Sequence, residues 1–316
     1  MKYRLVNPAV FATLLVAALV PAFLGSRISV VLAIVLGFAV PATLINFAHN
    51  RNPFTARLRK RDDQLVFRSC EAGIFTPTRR FYRWLPSDPR CRLCLVPFGG
   101  VGRIFRITPS SKNPNFCTDC LESAPVGVHE MEAGLLFADI RGFTAWSEKH
   151  APDTVAAELT RFYAVASRVL TRDDALVEFV GDQVMALYLP NFPSLGERMP
   201  EVMVAAARRL IVELKDPKYE ITLPIGIGLH MGVASVGNVG KGEVKDFTAV
   251  GDVVNTAARL QSCAKAGQIV LSKEIYKKAG ASCPNAESAS LSVKGKSEPL
   301  EAYVIHGSSN VPNLES

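Results

Sequence analysis

Residues 135–144, LLFADIRGFT, restrict the possible folds of this chain more than any other stretch. Leu135, Leu136, Phe137 and Ala138 form a short bounded apolar run, the pattern of a strand in a covered sheet. The run ends on an acid, Asp139, and passes into the turn Arg141-Gly142-Phe143-Thr144. A carboxylate at a strand end can hold a hard cation, and a glycine-containing turn exposes backbone N–H groups that can cradle phosphate. On its own this is equally the pattern of an ordinary sheet end. Its meaning comes from Asp182, Asn255 and Lys294 further along.

The front of the chain is a different kind of polymer. Hydrophobic residues make up 48% of the 316 and the mean hydropathy is +0.17. The excess lies in two apolar runs, residues 10–24 and 28–48, separated by the turn Gly25-Ser26-Arg27. The second is long enough to span a bilayer, and the first reaches if it begins near Leu5. Residues 1–50 therefore read as a transmembrane helical hairpin. A cleaved signal peptide is the alternative for the first run, but the second would still anchor the chain. Lys2 and Arg4 precede the pair, Arg51, Arg57, Arg59, Lys60 and Arg61 follow it, and only Arg27 lies between. That asymmetry puts both termini in the cytoplasm of a multi-pass cell-membrane protein. Much of the net charge of +7 belongs to this flank, where it can lean on anionic membrane lipid. No RNA- or DNA-reading motif accompanies it, so nucleic acid is not an expected partner.

Four of the seven cysteines form two knuckles, Cys91-Arg-Leu-Cys94 and Cys117-Thr-Asp-Cys120. The spacing suits a tetrahedral thiolate site for structural Zn²⁺, with an iron–sulfur cluster as the less favoured occupant. The intervening segment is rich in Gly and Pro and has little core of its own, so a metal would supply folding energy. A disulfide framework is not expected in a reducing compartment. Cys70, Cys263 and Cys283 read as core or incidental residues, and His129, His150 and His230 as linker, helix-end and strand residues.

The expected order is a hairpin (1–50), a basic juxtamembrane connector (51–90), a cysteine module (91–121) and a linker (122–133). A domain over 134–306 and a tail (307–316) follow. Within the domain, helical spacing starts at Pro152-Asp153 and runs to about Thr171. Residues 175–180 and 184–189 form a hairpin about Gly181-Asp182. A helix covers 201–214, a strand 223–233 and a flexible stretch 237–243. Strand, helix, strand and helix then occupy 247–250, 253–264, 269–271 and 273–278. The end, 290–304, reads as strand around Lys294-Gly295-Lys296. Hairpins mixed with helices, without a strict repeat, predict an α+β sandwich rather than a doubly wound parallel sheet.

Five segments in order, FADIRGFT, VEFVGDQVMA (177–186), GIGLHMG (226–232), VGDVVNTAARL (250–260) and VKGK (293–296), resemble the class III nucleotidyl cyclases. This is the catalytic domain of adenylyl and guanylyl cyclases. The resemblance implies a ferredoxin-type α+β sandwich that turns a nucleoside triphosphate into its 3′,5′-cyclic nucleotide and pyrophosphate. It implies two Mg²⁺ or Mn²⁺ ions held by Asp139, Asp182 and the carbonyl of Ile140, and phosphates wrapped by Gly142, Phe143 and Thr144. Asn255 would orient the ribose, Arg259 would steady charge on the α-phosphate, and Lys294 would bind the terminal phosphates; Lys296 reads as solvated. Asn255 and Arg259 are four apart and share a helix face. In the family the two metal acids and the Asn/Arg/Lys set act from opposite sides of a dimer interface, which implies a homodimer with composite sites.

The base-selecting pair implied by the resemblance is Glu178 and Thr248, four residues before Asp182 and Asp252. Adenylyl cyclases carry Lys at the first position and guanylyl cyclases Glu. A carboxylate accepts from guanine N1–H and N2–H but meets a lone pair at adenine N1. Thr248 can serve either base. Glu178 thus favours GTP, with ATP the alternative substrate and a catalytically inactive sensing or dimerising module the alternative function.

Overall fold

The computed structural model describes residues 88–104, 107–121, 127–241, 244–291 and 299–307. The expected membrane hairpin, nearly all of the basic connector and the tail beyond Gly307 lie outside these, as do Lys294 and Lys296. Among the described residues no helix is long and apolar enough to cross a membrane.

The organising strand is β1 (Gly127–Ile140). Its centre, Ala133 to Ala138, is buried because strands lie on both sides: β3 (Gln183–Tyr188) and β4 (Ile225–Lys241) each pair with it antiparallel. β2 (Leu176–Val180) forms the hairpin with β3. β5 (Val244–Val250), β6 (Gln268–Ser272), β7 (Glu287–Leu291) and β8 (Leu300–His306) complete an eight-stranded sheet of order β2-β3-β1-β4-β6-β8-β7. β5 pairs with the far end of β4. Among the described residues only β4 and β6 run parallel, so the expected α+β class holds against a doubly wound sheet.

Two expectations are corrected. The segment read as a linker up to Ala133 is already strand from Gly127, paired residue by residue with β4 from Asn238 onward. Its polar residues His129, Glu130 and Glu132 sit on a ribbon that leaves the covered part of the sheet, where no apolar run is required. The stretch read as flexible, 237–243, is largely strand. Gly237 and Gly240 have φ of +154° and +131°, and a Cβ there would stand 2.1 Å from the Gly127 carbonyl oxygen and 2.2 Å from that of Val244. These glycines allow close backbone pairing; they do not loosen the chain.

Two single-turn helices, α1 (Val101–Ile104) and α2 (Thr118–Leu121), belong to the cysteine segment, and α3 (Phe143–Ser147) follows β1. Longer helices, α4 (Pro152–Thr171), α5 (Met199–Leu214) and α6 (Asp252–Cys263), cover the sheet on both faces. A Cβ on Gly134 of β1 would strike Met203 of α5. Gly134 pairs with Met231, so that parity of β4 faces α5 and α4, the helix packed beside it. α4 begins as the sequence indicates, with Pro152 in the first turn after an extended Ala151. The other parity carries Gly226, Gly228 and Gly232, where an added Cβ would meet Ala264, the backbone of Gln261 and Val253. Those residues belong to or adjoin α6. The glycines of GIGLHMG are therefore the seat of α6.

Candidate active site

Asp139 is the next-to-last residue of β1, and Asp182 sits in the β2–β3 turn at the same end of the sheet. The Ile140 N–H donates to the Asp182 carbonyl at 3.2 Å, which ties the turn to the strand end. Both acids are half-buried. The Asp139 carboxyl is held above its usual range, first by burial and further by the charge of Asp182, while Arg141 opposes. An Arg141 nitrogen lies 3.1 Å from Asp139 Oδ1. Two half-buried carboxylates at one strand end, with oxygen donors only, fit a hard divalent cation. Tyr163 of α4 donates its hydroxyl to the Gly181 carbonyl and stacks on Phe179, with centroids 4.1 Å apart. Burial and the Asp182 charge push its phenol up.

After Arg141 the chain turns through Gly142, whose φ of +77° is left-handed, into α3. A non-glycine residue here would be strained. Gly142, Phe143 and Thr144 thus form the first turn of a helix beside Asp139, and first-turn N–H groups have no partner within the helix.

On α6 the buried side is Val253, Thr256, Ala257, Leu260 and Gln261. Asn255 and Arg259 lie on the other side of the helix by the 3.6-residue period, Asn255 exposed and Arg259 half-buried. Arg259 Nη1 is shielded from solvent and has no hydrogen-bond partner among the described residues. A buried unpaired guanidinium N–H is costly, and an anion would satisfy it. The far end of α6 reaches the carboxylate end of the sheet: Gln183 donates to the Gln261 side chain at 3.3 Å, and Arg141 to the Gln261 carbonyl at 3.5 Å. Asp139 pairs with Gly226, whereas Val253 packs near Gly232. Asn255 is thus displaced from Asp139 along the sheet and turned outward.

Glu178 lies on β2 and Thr248 on β5, both half-buried. Lys112, from the loop between the cysteine knuckles, joins the two strands. Its Nζ is 3.0 Å from Glu178 Oε2 and 2.8 Å from Asp246, two residues before Thr248.

The four knuckle cysteines converge. The ligand atoms of Cys91, Cys94, Cys117 and Cys120 all lie within 4.8 Å of one another, with 3.9 Å between the sulfurs of Cys91 and Cys120 and 3.6 Å between those of Cys94 and Cys117. Sulfurs about 2.3 Å from a tetrahedral zinc stand about 3.8 Å apart, so the donor set fits the ion. The Cys117 N–H donates to Cys91 Sγ at 3.2 Å. The Cys91 thiol is pulled down, chiefly by Cys117 and then by Cys120 and Cys94, which favours a thiolate. The knuckles share the core of the domain: Phe116 packs on Phe192 at 4.9 Å, and Arg92 reaches the buried Asp174 at 2.6 Å. We expect one zinc per chain by elemental analysis. Cys117→Ser should lose it and lower Tm by roughly 5–10 °C; a metal-free protein of unchanged Tm would rule out the structural role.

The adenylate and guanylate cyclase catalytic domain model matches residues 128–307, more than half of the chain. The chain belongs to this family. Among curated relatives, an adenylate cyclase of Anabaena cylindrica is 28% identical over 201 residues, 58% of this chain and 40% of its own length. Adenylate cyclase 1 of Rhizobium meliloti is 34% identical over 143 residues, 42% of this chain and 21% of its own. The chain thus spans less than half the length of these relatives. Among solved structures, the guanylyl cyclase Cya2 superposes with a TM-score of 0.52 at 25% identity, covering 57% of this chain and 93% of that one. The adenylyl cyclase CyaB of P. aeruginosa gives 0.51 at 26%, covering 57% and 96%. The α+β cyclase fold expected from the motifs is the fold observed.

Within the cyclase domain, Asp139, Ile140 and Asp182 are brought together at one sheet end next to the Gly142 turn, and Asn255 and Arg259 share a face elsewhere. Four residues were not singled out by sequence: Arg141, Tyr163, Gln261 and Lys112. Arg141 stands inside the motif, where a counter-charge to Asp139 is legible. Tyr163 and Gln261 sit in helical patterns with nothing to mark them, and the contacts of Lys112 span 66 and 134 residues of sequence.

Proposed function

We propose that this protein is a membrane-anchored nucleotidyl cyclase that converts GTP, in preference to ATP, into the 3′,5′-cyclic nucleotide and pyrophosphate as a homodimer. The observation that carries the reading is the pair of half-buried acids, Asp139 and Asp182, at one strand end. The Nη1 of Arg259, shielded and without a hydrogen-bond partner among the described residues, supports it from α6. Two Mg²⁺ or Mn²⁺ ions, when bound, lower the pKa of the ribose 3′-hydroxyl and neutralise triphosphate charge. Asp139, Asp182 and the Ile140 carbonyl are the oxygen donors for them. The turn at Gly142, Phe143 and Thr144, with Lys294, holds the β- and γ-phosphates. Arg259 stabilises charge on the α-phosphate, and Asn255 orients the ribose.

The outward face of Asn255 and Arg259, displaced from the acids of the same chain, supports composite sites built by two copies. Glu178 supports GTP by accepting from guanine N1–H and N2–H. The zinc module stiffens the approach to the domain, and residues 1–50 with their basic flank anchor the protein in lipid, cytoplasmic at both ends. ATP is the second reading, supported by the names of the curated relatives.

The test is nucleotide turnover by the purified chain with Mn²⁺, ATP and GTP being supplied separately and products separated by chromatography. Cyclic GMP as main product, shifting toward cyclic AMP in Glu178→Lys, is the expected outcome. Cyclic AMP from the unaltered chain would show that Glu178 does not select guanine, and silence with both nucleotides in a confirmed dimer would leave a sensing module.

A further inference from the structure

We propose that Lys112, a residue of the cysteine module and not of the cyclase domain, is a specificity-determining residue of the base pocket. The inference rests on the reading of Glu178 as base selector and goes beyond it. It assigns to that pocket a further group beside Glu178 and Thr248, supplied by a segment outside the matched domain.

The loop bearing Lys112 is fastened beside the start of β2 at the lysine and just after it, and is braced within itself just before it. The Lys112 carbonyl accepts from the Val177 N–H at 2.9 Å, which places Lys112 beside the residue preceding Glu178. Asn113, fully buried, donates to the Ala175 carbonyl at 2.7 Å and accepts from the Asn115 N–H at 2.8 Å. Asn115 donates to the Thr171 carbonyl at 2.8 Å, and Ser110 Oγ accepts from the Lys112 N–H at 3.2 Å. A lysine on a free loop would sample many rotamers. This one has its backbone fixed, and its side chain is 11% exposed.

The ammonium lies between Glu178 Oε2 and the Asp246 carboxylate. It has three N–H donors and faces three carboxylate oxygens, Glu178 Oε2 at 3.0 Å and both Asp246 oxygens at 2.8 Å, so a base oxygen would take the place of one Asp246 oxygen. It engages a single oxygen of Glu178, leaving Oε1 to accept elsewhere. The pocket therefore offers a donor beside an acceptor on groups that cannot exchange places, since one hangs from β2 and the other from the clamped loop. That pair matches guanine, with Lys112 donating to O6 while Glu178 accepts from N1–H and N2–H. In the same placement adenine puts its N6 donors against the ammonium and its N1 lone pair against the carboxylate. Asp246 keeps the set anionic, so Glu178 is not silenced by its partner.

The consequence is that base choice depends on a residue that the cyclase motifs do not contain. The readout is the ratio of kcat/KM for GTP to that for ATP, measured on the full-length protein with Mn²⁺ for Lys112→Met, Lys112→Arg and the unaltered chain. Loss of a paired group from a hydrogen-bonding site typically costs about tenfold or more in discrimination. We expect the ratio to fall at least about tenfold in Lys112→Met and to be largely restored in Lys112→Arg, with Tm moved little in either. A ratio that is unchanged or raised in Lys112→Met would overturn the proposal, as would equal losses with both nucleotides. If the unaltered chain makes no cyclic nucleotide, the functional reading fails first; if it does and the ratio stays put, only the role of Lys112 fails.

Discussion

Asp139→Asn should abolish cyclic nucleotide formation, by about a thousandfold or more, while leaving the fold intact. Removing a carboxylate that places a catalytic cation forfeits several kcal/mol of transition-state stabilisation, and about 4 kcal/mol corresponds to a thousandfold. The effect on stability should run the other way. Burial and Asp182 hold the Asp139 carboxyl above its usual range in the metal-free fold, so the folded state disfavours the charged form. The stability contributed by this group is complete below the unfolded value and is lost as pH rises through the raised folded value. At neutral pH and without metal, the neutral asparagine should therefore match or exceed the Tm of the unaltered chain. Added Mn²⁺ should raise the Tm of the unaltered chain and not that of Asp139→Asn. A variant that unfolds, or that keeps a tenth of the activity, would remove Asp139 from the role given to it.

Gly228→Ala should be among the most destabilising single changes available in the cyclase domain. A Cβ at this position would stand 2.2 Å from the backbone nitrogen of Gln261, 2.6 Å from its Cα and 2.7 Å from the Ala257 carbonyl oxygen. These are backbone atoms of α6, which no rotamer change can withdraw. The helix must lift from the sheet, with a cost of about 3 kcal/mol or more at the top of the overpacking range and a fall in Tm of roughly 6–12 °C. Because α6 carries Asn255 and Arg259, activity should fall further than stability explains. Gly280→Ala is the control. Its nearest neighbour is a Tyr276 ring carbon at 3.7 Å, and its φ of −57° suits any residue, so Tm should change little. Equal behaviour of the two variants would mean that close seating of α6 is not what Gly228 provides.

The contrast between these glycines also shows where the sequence was informative. LLFADIRGFT announced a covered strand, its terminal acid and its turn, because burial on both faces demands an uninterrupted apolar run and the turn demands Gly142. Asp182 was legible as a hairpin residue, and Asn255 and Arg259 as neighbours on a helix. The first half of β1 was not, since His129, Glu130 and Glu132 lie on a ribbon with little to bury. Gly237 and Gly240 looked like flexibility, because nothing local distinguishes a glycine that loosens a chain from one that lets another strand approach. The salt bridges of Lys112 follow from tertiary placement alone. Lys294, named by its motif, lies outside the described residues, and its role rests on that motif.

A mixing experiment decides whether two copies build the site between them. Asp139→Asn lacks one half of the proposed site and Asn255→Ala the other, so each chain alone should be inactive. Mixed in equal amounts and allowed to exchange subunits, half of the dimers are hybrid, and each hybrid holds one intact site and one doubly impaired site. Cyclic nucleotide formation should return to about a quarter of the unaltered level. Mixtures that stay silent while hybrid dimers are demonstrated, or a single variant that is active without its partner, would contradict a nucleotidyl cyclase whose site is completed by a second copy.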